Sequence, residues 1–251
     1  MKKISFLLLI LLITFSVGCH CEKFSFAVFG DNRDGDQAFK KIIQMVNKDS
    51  DIKFCVNTGD LTPHGWASEY DKYWKMCAEC KVKIYDTIGN HDLGFFNAGS
   101  NIFKERYGET YYYFDNDRAR FIVLDNARSK GMGRKQFTWL KDVLDTKRTK
   151  FVFIHKPIFD PTESYPNYIM TPKDENEALN KLLIREEVRY VFAGHIHGYG
   201  REEKDGIVYV VTAGAGAPLY LPAFNGGFYH YVKVTVDGSK ITDKVVKIYN
   251  D

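Results

Sequence analysis

The sequence lacks an excess of charge of one sign. Its 35 Lys and Arg stand against 32 Asp and Glu, a formal net charge of +3. Two of those positive charges are Lys2 and Lys3, so the rest is close to neutral. That balance gives no basis for a nucleic-acid partner or a charged membrane surface. There is no linker, internal repeat or low-complexity tract. A Gly-x-Ser-x-Gly elbow is missing, which argues against a serine hydrolase. Cysteine is scarce, with five in 251 residues. Cys77 and Cys80 form a Cys-x-x-Cys, but no second pair exists to complete a zinc knuckle. No His follows Cys80, which excludes covalent haem, and no thioredoxin-like context surrounds the pair. A local Cys77–Cys80 disulfide is the expectation for an exported chain. Cys55, inside an apolar run, reads as a small buried hydrophobe.

The apolar run from Ile4 to Phe15 follows the two lysines and is too short to span a bilayer comfortably. Small residues and then Cys19 come next, and Ser16-Val17-Gly18-Cys19 resembles a bacterial lipobox, with Ser16 in place of an aliphatic residue. We expect residues 1–18 to be a signal peptide and Cys19 to be lipidated, the alternative being simple cleavage near Gly18. The mature protein is then exported to the cell envelope as a lipoprotein, with its lipid as the only membrane contact, or is otherwise periplasmic or secreted. Residues 24–251 are left as one domain.

Within that domain, FSFAVFGD (24–31), IKFCVNTGD (52–60) and VKIYDTIGN (82–90) read as buried strands. Phe39, Ile42, Ile43 and Val46 repeat at helical spacing between the first two. Residues 66–78 give a second helix. This β-α-β-α-β order predicts a parallel sheet with helices on its faces. Residues 110–126 read as paired strands, 134–144 and 175–188 as helices, and 150–157 and 189–195 as strands. The last third is strand-rich and reads as antiparallel. The expected fold class is α/β, a double β-sheet sandwich flanked by helices.

Polar residues collect where these strands end. Asp31 ends the first and Asp60 the second. Asn90, His91 and Asp92 end the third. His155 ends a later strand, and His195 and His197 another. Any one of them has an ordinary explanation as a turn residue, a helix cap or a structural histidine. Together they place carboxylate, amide and imidazole groups at five strand ends, where α/β sheets build their sites. Such mixed donors suit Mn, Fe or Zn.

GDNR (30–33), GD (59–60), GNHD (89–92), FIHKP (153–157) and GHIH (194–197) resemble, in order and rough spacing, the motifs of the calcineurin-like metallophosphoesterases. The resemblance covers residues 24–218. It implies the double-sheet sandwich and a pair of divalent metal ions 3.5–4 Å apart. It implies Asp60 as the bridging carboxylate and Asn90, His155 and His195 as further ligands of one ion. Asp31 and His197 are implied for the other. A metal-bound hydroxide would attack phosphorus. His91 would act as acid toward the leaving oxygen. Asp92 would orient His91, or else cap the turn. The implied function is hydrolysis of a phosphomonoester or phosphodiester in a small phosphorylated substrate. The alternative is a non-catalytic phosphate- or nucleotide-binding envelope protein on a degenerate scaffold.

The sequence departs from the family at Arg33, where the first motif has His. Arg stays protonated and cannot ligate a metal. At ~5 Å and an effective dielectric of ~20 it would repel a divalent ion by roughly 6–7 kcal/mol. Three readings stand. Arg33 forks onto a substrate phosphate oxygen, one metal site is weak, or Arg33 points to solvent. His64 is a replacement ligand or an exposed loop residue. Residues 93–108 and 159–172 read as long loops, whose Phe95, Phe96, Tyr165 and Tyr168 stack on a base or sugar or pack locally.

Overall fold

The computed structural model describes residues 23–248. The expected signal peptide, Cys19 and the last three residues of the expected domain lie outside them. Two mixed sheets face each other and helices cover both outer faces. The first half of the chain begins with β1 (Phe24–Phe29), α1 (Asp36–Lys48), β2 (Ile52–Asn57), α2 (Ala67–Cys77) and β3 (Lys83–Asp86). It continues with α3 (Ala98–Tyr107), β4 (Tyr112–Asn116) and β5 (Ala119–Val123). The second half holds α4 (Gly133–Leu144), β6 (Thr149–Phe153), α5 (Lys173–Arg185) and β7 (Tyr190–Ala193). It ends with β8 (Tyr199–Lys204), β9 (Ile207–Thr212), β10 (His230–Asp237) and β11 (Lys240–Lys247).

One sheet has the order β11-β10-β1-β2-β3, the other β4-β5-β6-β7-β9-β8. β1, β2 and β3 run parallel, as do β5, β6, β7 and β9. The site-bearing strands therefore deliver their carboxyl ends to one edge of the sandwich. Helix α1 forms because its apolar residues fall on one face and Asp36 and Lys48 suit the two ends of the helix dipole. Its buried side chains Phe39, Ile42, Ile43 and Val46 pack on the outer face of the first sheet with Tyr70 and Tyr73 of α2. Leu140 and Leu144 of α4 and Leu179, Leu182 and Leu183 of α5 cover the second sheet in the same way.

Phenylalanine dominates the space between the sheets. The Phe26 ring stacks on Phe54 at 5.3 Å and meets Phe121 edge-on at 5.2 Å and Phe151 at 5.3 Å. Each buried ring removes about 150–250 Å² from water, which locks the register of the two sheets and so the relative position of their strand ends.

Three expectations need correction. Residues 93–108 are not a long loop. They form two 3₁₀ turns and helix α3, whose weak amphipathic pattern hid it. The last third is not purely antiparallel, because β9 lies parallel to β7 while β8 folds back along it. Cys77 and Cys80 are free thiols. Both lie close enough to Cys55 for the three thiols to interact.

Candidate metal centre

Asp31 and Asp60 leave their strands with left-handed backbone, φ 58° and 56°, and His195 has φ 71°. That conformation is uncommon for a residue with a Cβ and concentrates at functional sites. The tight turns need glycine beside them. A Cβ on Gly89 would lie 2.2 Å from Asp60 Oδ1, and one on Gly194 would lie 2.4 Å from Asp31 Oδ2. The glycines thus let four strand ends close onto each other.

Asp31, Asp60, His155 and His197 are buried. Donor atoms of Asp31, Asp60 and His197 lie within 4.8 Å of one another. His197 Nε2 is 3.4 Å from Asp31 Oδ1, and His155 Nε2 is 3.3 Å from Asp60 Oδ1 and 2.9 Å from Asn90 Oδ1. The ring of His195 stands 5.0 Å from that of His155, and its backbone N–H donates to Asp31 at 3.0 Å. The structure therefore brings all six sequence-predicted ligands to one place.

Backbone carbonyls set the imidazole orientations. His155 Nδ1 faces Thr58 O at 3.0 Å, His197 Nδ1 faces Pro218 O at 2.7 Å, and His91 Nδ1 faces Pro63 O at 2.8 Å. A carbonyl only accepts, so each Nδ1 carries a proton and each Nε2 is turned toward the centre. For His155 and His197 that atom faces carboxylate oxygen. Burial lowers the His197 pKa, but the hydrogen bond and charge of Asp31 outweigh it and raise it overall. The mixed carboxylate, imidazole and amide donors suit a divalent first-row metal. Burial, and then the neighbouring His155, push the His195 pKa down to about 3, which favours its neutral form.

His91 lies at the rim with its side chain 35% exposed and its Nε2 3.9 Å from Asp60 Oδ2. Its backbone N–H donates to Asp60 Oδ1 at 3.0 Å. Asp92 does not orient it, which corrects that expectation. The Asp92 carboxylate instead accepts from Leu61 N, Thr62 N, Thr62 Oγ1 and Gly89 N at 2.8–3.1 Å. It ties the loop after Asp60 to the loop before Asn90. The Asp-after-His spacing suggested a relay, but the 3₁₀ turn at His91–Leu93 sends the two side chains apart.

Arg33 does not point to solvent. Its side chain is only 13% exposed, pairs with Asp34 at 2.6 Å, and brings Nε to 3.4 Å from Asp60 Oδ2. That Nε is buried with no hydrogen-bond partner. A cavity of about 620 Å³ begins at Arg33 and Pro63 and runs between α1 and α2. His64 is no replacement ligand: it is exposed, stacks on Trp66 and binds Glu69. Phe95 and Phe96 pack on each other and are 78% and 88% exposed.

Several residues beyond the predicted ligands support the centre, two of them, Asn32 and Lys156, inside the GDNR and FIHKP motifs. Asn126 Oδ1 accepts from the backbone N–H of both His155 and Lys156. Asn32 accepts from Asn57 and donates to Leu61 O, bracing the first two strand ends. Lys156 lies close enough to Asp60 and His195 to feel both, and burial lowers its pKa. Tyr220 stacks on His197 at 3.9 Å. Only the meeting of distant loops reveals these contacts.

Residues 24–199 match the calcineurin-like phosphoesterase family. The chain belongs to that family. Purple acid phosphatase 21 of Arabidopsis thaliana is 25% identical over 227 residues, covering 80% of this chain and 49% of the relative. Fe(3+)-Zn(2+) purple acid phosphatase 12 of the same plant is 27% identical over 169 residues, covering 56% of this chain and 35% of the relative. This chain thus spans half or less of the length of these two relatives. Among solved structures, purple acid phosphatase PPD1 from yellow lupin (Lupinus luteus) seeds superposes with a TM-score of 0.74 at 18% identity, covering 91% of this chain and 52% of that one. At that identity the likeness concerns the fold, which it supports as two mixed sheets flanked by helices.

Proposed function

We propose that this protein hydrolyses phosphoester bonds in small phosphorylated substrates with a pair of divalent metal ions. Asn90, His155 and His195 would hold one ion and Asp31 and His197 the other, with Asp60 serving both. The observation that carries the reading is the convergence of buried carboxylates with imidazole Nε2 atoms, each aimed by a backbone carbonyl. When bound, the ions supply positive charge to the phosphoryl oxygens and make water more acidic. Purple acid phosphatase 12, named for Fe(3+) and Zn(2+), supports iron or zinc as candidates.

The chain's own groups do the rest. Arg33 offers its unpartnered Nε to a phosphate oxygen. A guanidinium fork suits that geometry, and the charge compensates Asp60 when no substrate is present. His91, fixed at Nδ1 by Pro63 O, holds Nε2 3.9 Å from Asp60 Oδ2, where its imidazolium form can donate a proton to the leaving oxygen. Asp92 acts at a distance as a positioning residue, because its four hydrogen bonds hold the backbone on both sides of Asp60 and Asn90.

The leader supports export, with Cys19 as a lipid anchor and the cell envelope as location. No described helix is long and apolar enough to cross a membrane.

The test strips the protein of metal and restores Mn²⁺ stepwise, using p-nitrophenyl phosphate and bis-p-nitrophenyl phosphate. We expect metal-dependent release of nitrophenol and a loss of about 10²–10⁴ in kcat/KM for His91→Ala. Undiminished turnover in the metal-free protein would end the proposal. Metal binding without turnover of any ester would favour the non-catalytic phosphate-binding reading, for which the Arg33–Asp60 pairing is the motive.

A further inference from the structure

Three tyrosines from two distant loops meet beside the metal centre. Tyr165 and Tyr168 come from the loop between β6 and α5, and Tyr220 from the loop after β9. Tyr220 stacks on His197 at 3.9 Å, and Tyr168 lies 5.7 Å from the ring of His195. The two tyrosines stand 5.9 Å apart at 75° to each other. Tyr165 backs both, at 5.3 Å from Tyr168 and 5.6 Å from Tyr220. Tyr168 is 43% and Tyr220 36% exposed. The result is a partly exposed corner of two rings at right angles beside the two histidines.

The corner is built rather than draped. The buried Asp160 carboxylate accepts from Thr162 N, Thr162 Oγ1 and Tyr165 N at 2.6–2.8 Å. Tyr165 donates its hydroxyl to Tyr220 O at 3.1 Å, and Asn225 donates to Ser164 Oγ at 3.1 Å. These bonds pin one loop to the other, so the rings are placed before any ligand arrives. A preorganised aromatic pair loses little entropy on binding.

We propose that Tyr168 and Tyr220 form a subsite for a planar heteroaromatic base carried by the leaving alcohol, so that the favoured substrate is a nucleoside phosphate. This rests on the phosphoester hydrolysis proposed above. A planar base fits a right-angled corner because it meets one ring by offset stacking and the other edge to face, the two arrangements aromatic pairs favour. A flexible alkyl group uses neither. The corner touches His195 and His197, so a group held there hangs from a phosphate seated at the centre.

The test compares adenosine 5′-monophosphate, ribose 5-phosphate and glycerol 2-phosphate on the full Mn²⁺-loaded chain. The variants are Tyr168→Leu, Tyr168→Phe and a distant control, Tyr113→Leu. The expected result is a wild-type preference for the adenosine ester. Tyr168→Leu lowers the adenosine-to-glycerol ratio of kcat/KM by about 5–100-fold, the worth of one base stack. Tyr168→Phe and Tyr113→Leu keep that ratio within about twofold. A ratio unmoved by Tyr168→Leu, or no wild-type preference over ribose 5-phosphate, overturns the subsite. Should the wild type turn over none of the three, the nitrophenyl esters decide the hydrolase reading and calorimetric binding decides the subsite alone. Tighter binding of the adenosine ester than of ribose 5-phosphate, lost in Tyr168→Leu, upholds it. Equal binding refutes it.

Discussion

Asp92→Asn is the substitution that best tests how the centre is held together. Asp92 is wholly buried, and two donors converge on each of its oxygens: Leu61 N and Gly89 N on Oδ2, Thr62 N and Thr62 Oγ1 on Oδ1. Asparagine replaces one oxygen by a donor. Two buried donors then lose their acceptor, at about 1–3 kcal/mol each, so the substitution costs ~2–6 kcal/mol. With m near ~3 kcal/mol/M, the urea midpoint falls by ~1–2 M. Burial, and then the Asp60 carboxylate, push the Asp92 pKa up, while the hydrogen bonds from Gly89, Leu61 and Thr62 pull it down. A protonated Asp92 would make Asn a near-isostere and the substitution nearly silent. It would also leave a signature in the wild type: the folded form would hold a proton the unfolded chain has lost, so stability would keep falling as pH rises from 6 to 8. Four donors require an ionised carboxylate, and we expect a large midpoint shift and no such slope. A shift below about 0.2 M at pH 7, together with the slope, would refute this account of the site's scaffold.

Chelation should lower the melting temperature by ~5–10 °C, since an ion held at 100 times its Kd contributes ~2.7 kcal/mol and each kcal/mol is worth ~2–4 °C at this chain length. Scanning calorimetry before and after metal return checks it, and His155→Ala should narrow the gap. Arg33→Ala should reduce kcat/KM by ~10–150-fold, the value of one charged hydrogen bond, and Arg33→Lys should recover only part, because an ammonium has no fork. Steady-state kinetics with phosphate as competitor reads both. Asp86 is buried, which pushes its pKa up to about 6 against the opposing hydrogen bond from Tyr73. Its folded pKa exceeds the ordinary 3.8, so the contribution of Asp86 to stability is greatest below pH 4 and is lost as pH rises through about 6. Asp86→Asn should abolish that fall and be up to ~3 kcal/mol more stable than wild type at pH 7.5, read by urea titration.

Much of the fold was legible because its signals are local. Helix α1 shows its buried stripe in Phe39, Ile42, Ile43 and Val46, and strands β1 and β2 show themselves as apolar runs closed by glycine and aspartate. Helix α3 did not, because Phe95, Phe96 and Gly99 blur its start and its apolar face is narrow. The metal ligands were legible as residue types because a centre of this kind needs carboxylate, amide and imidazole at strand ends, and a one-dimensional order of motifs preserves that demand. Their aim was not. That His155, His197 and His91 present Nε2 to the centre depends on Thr58, Pro218 and Pro63 carbonyls, which any residue could supply. The sequence alone settled which donors the chain carries and in what order. The tertiary structure alone decided that Asp92 braces loops instead of relaying to His91, that Arg33 turns inward to Asp60, and that Tyr165, Tyr168 and Tyr220 meet. Those are contacts between segments far apart in the chain, set by how two phenylalanine-packed sheets align their strand ends, and no local pattern encodes them.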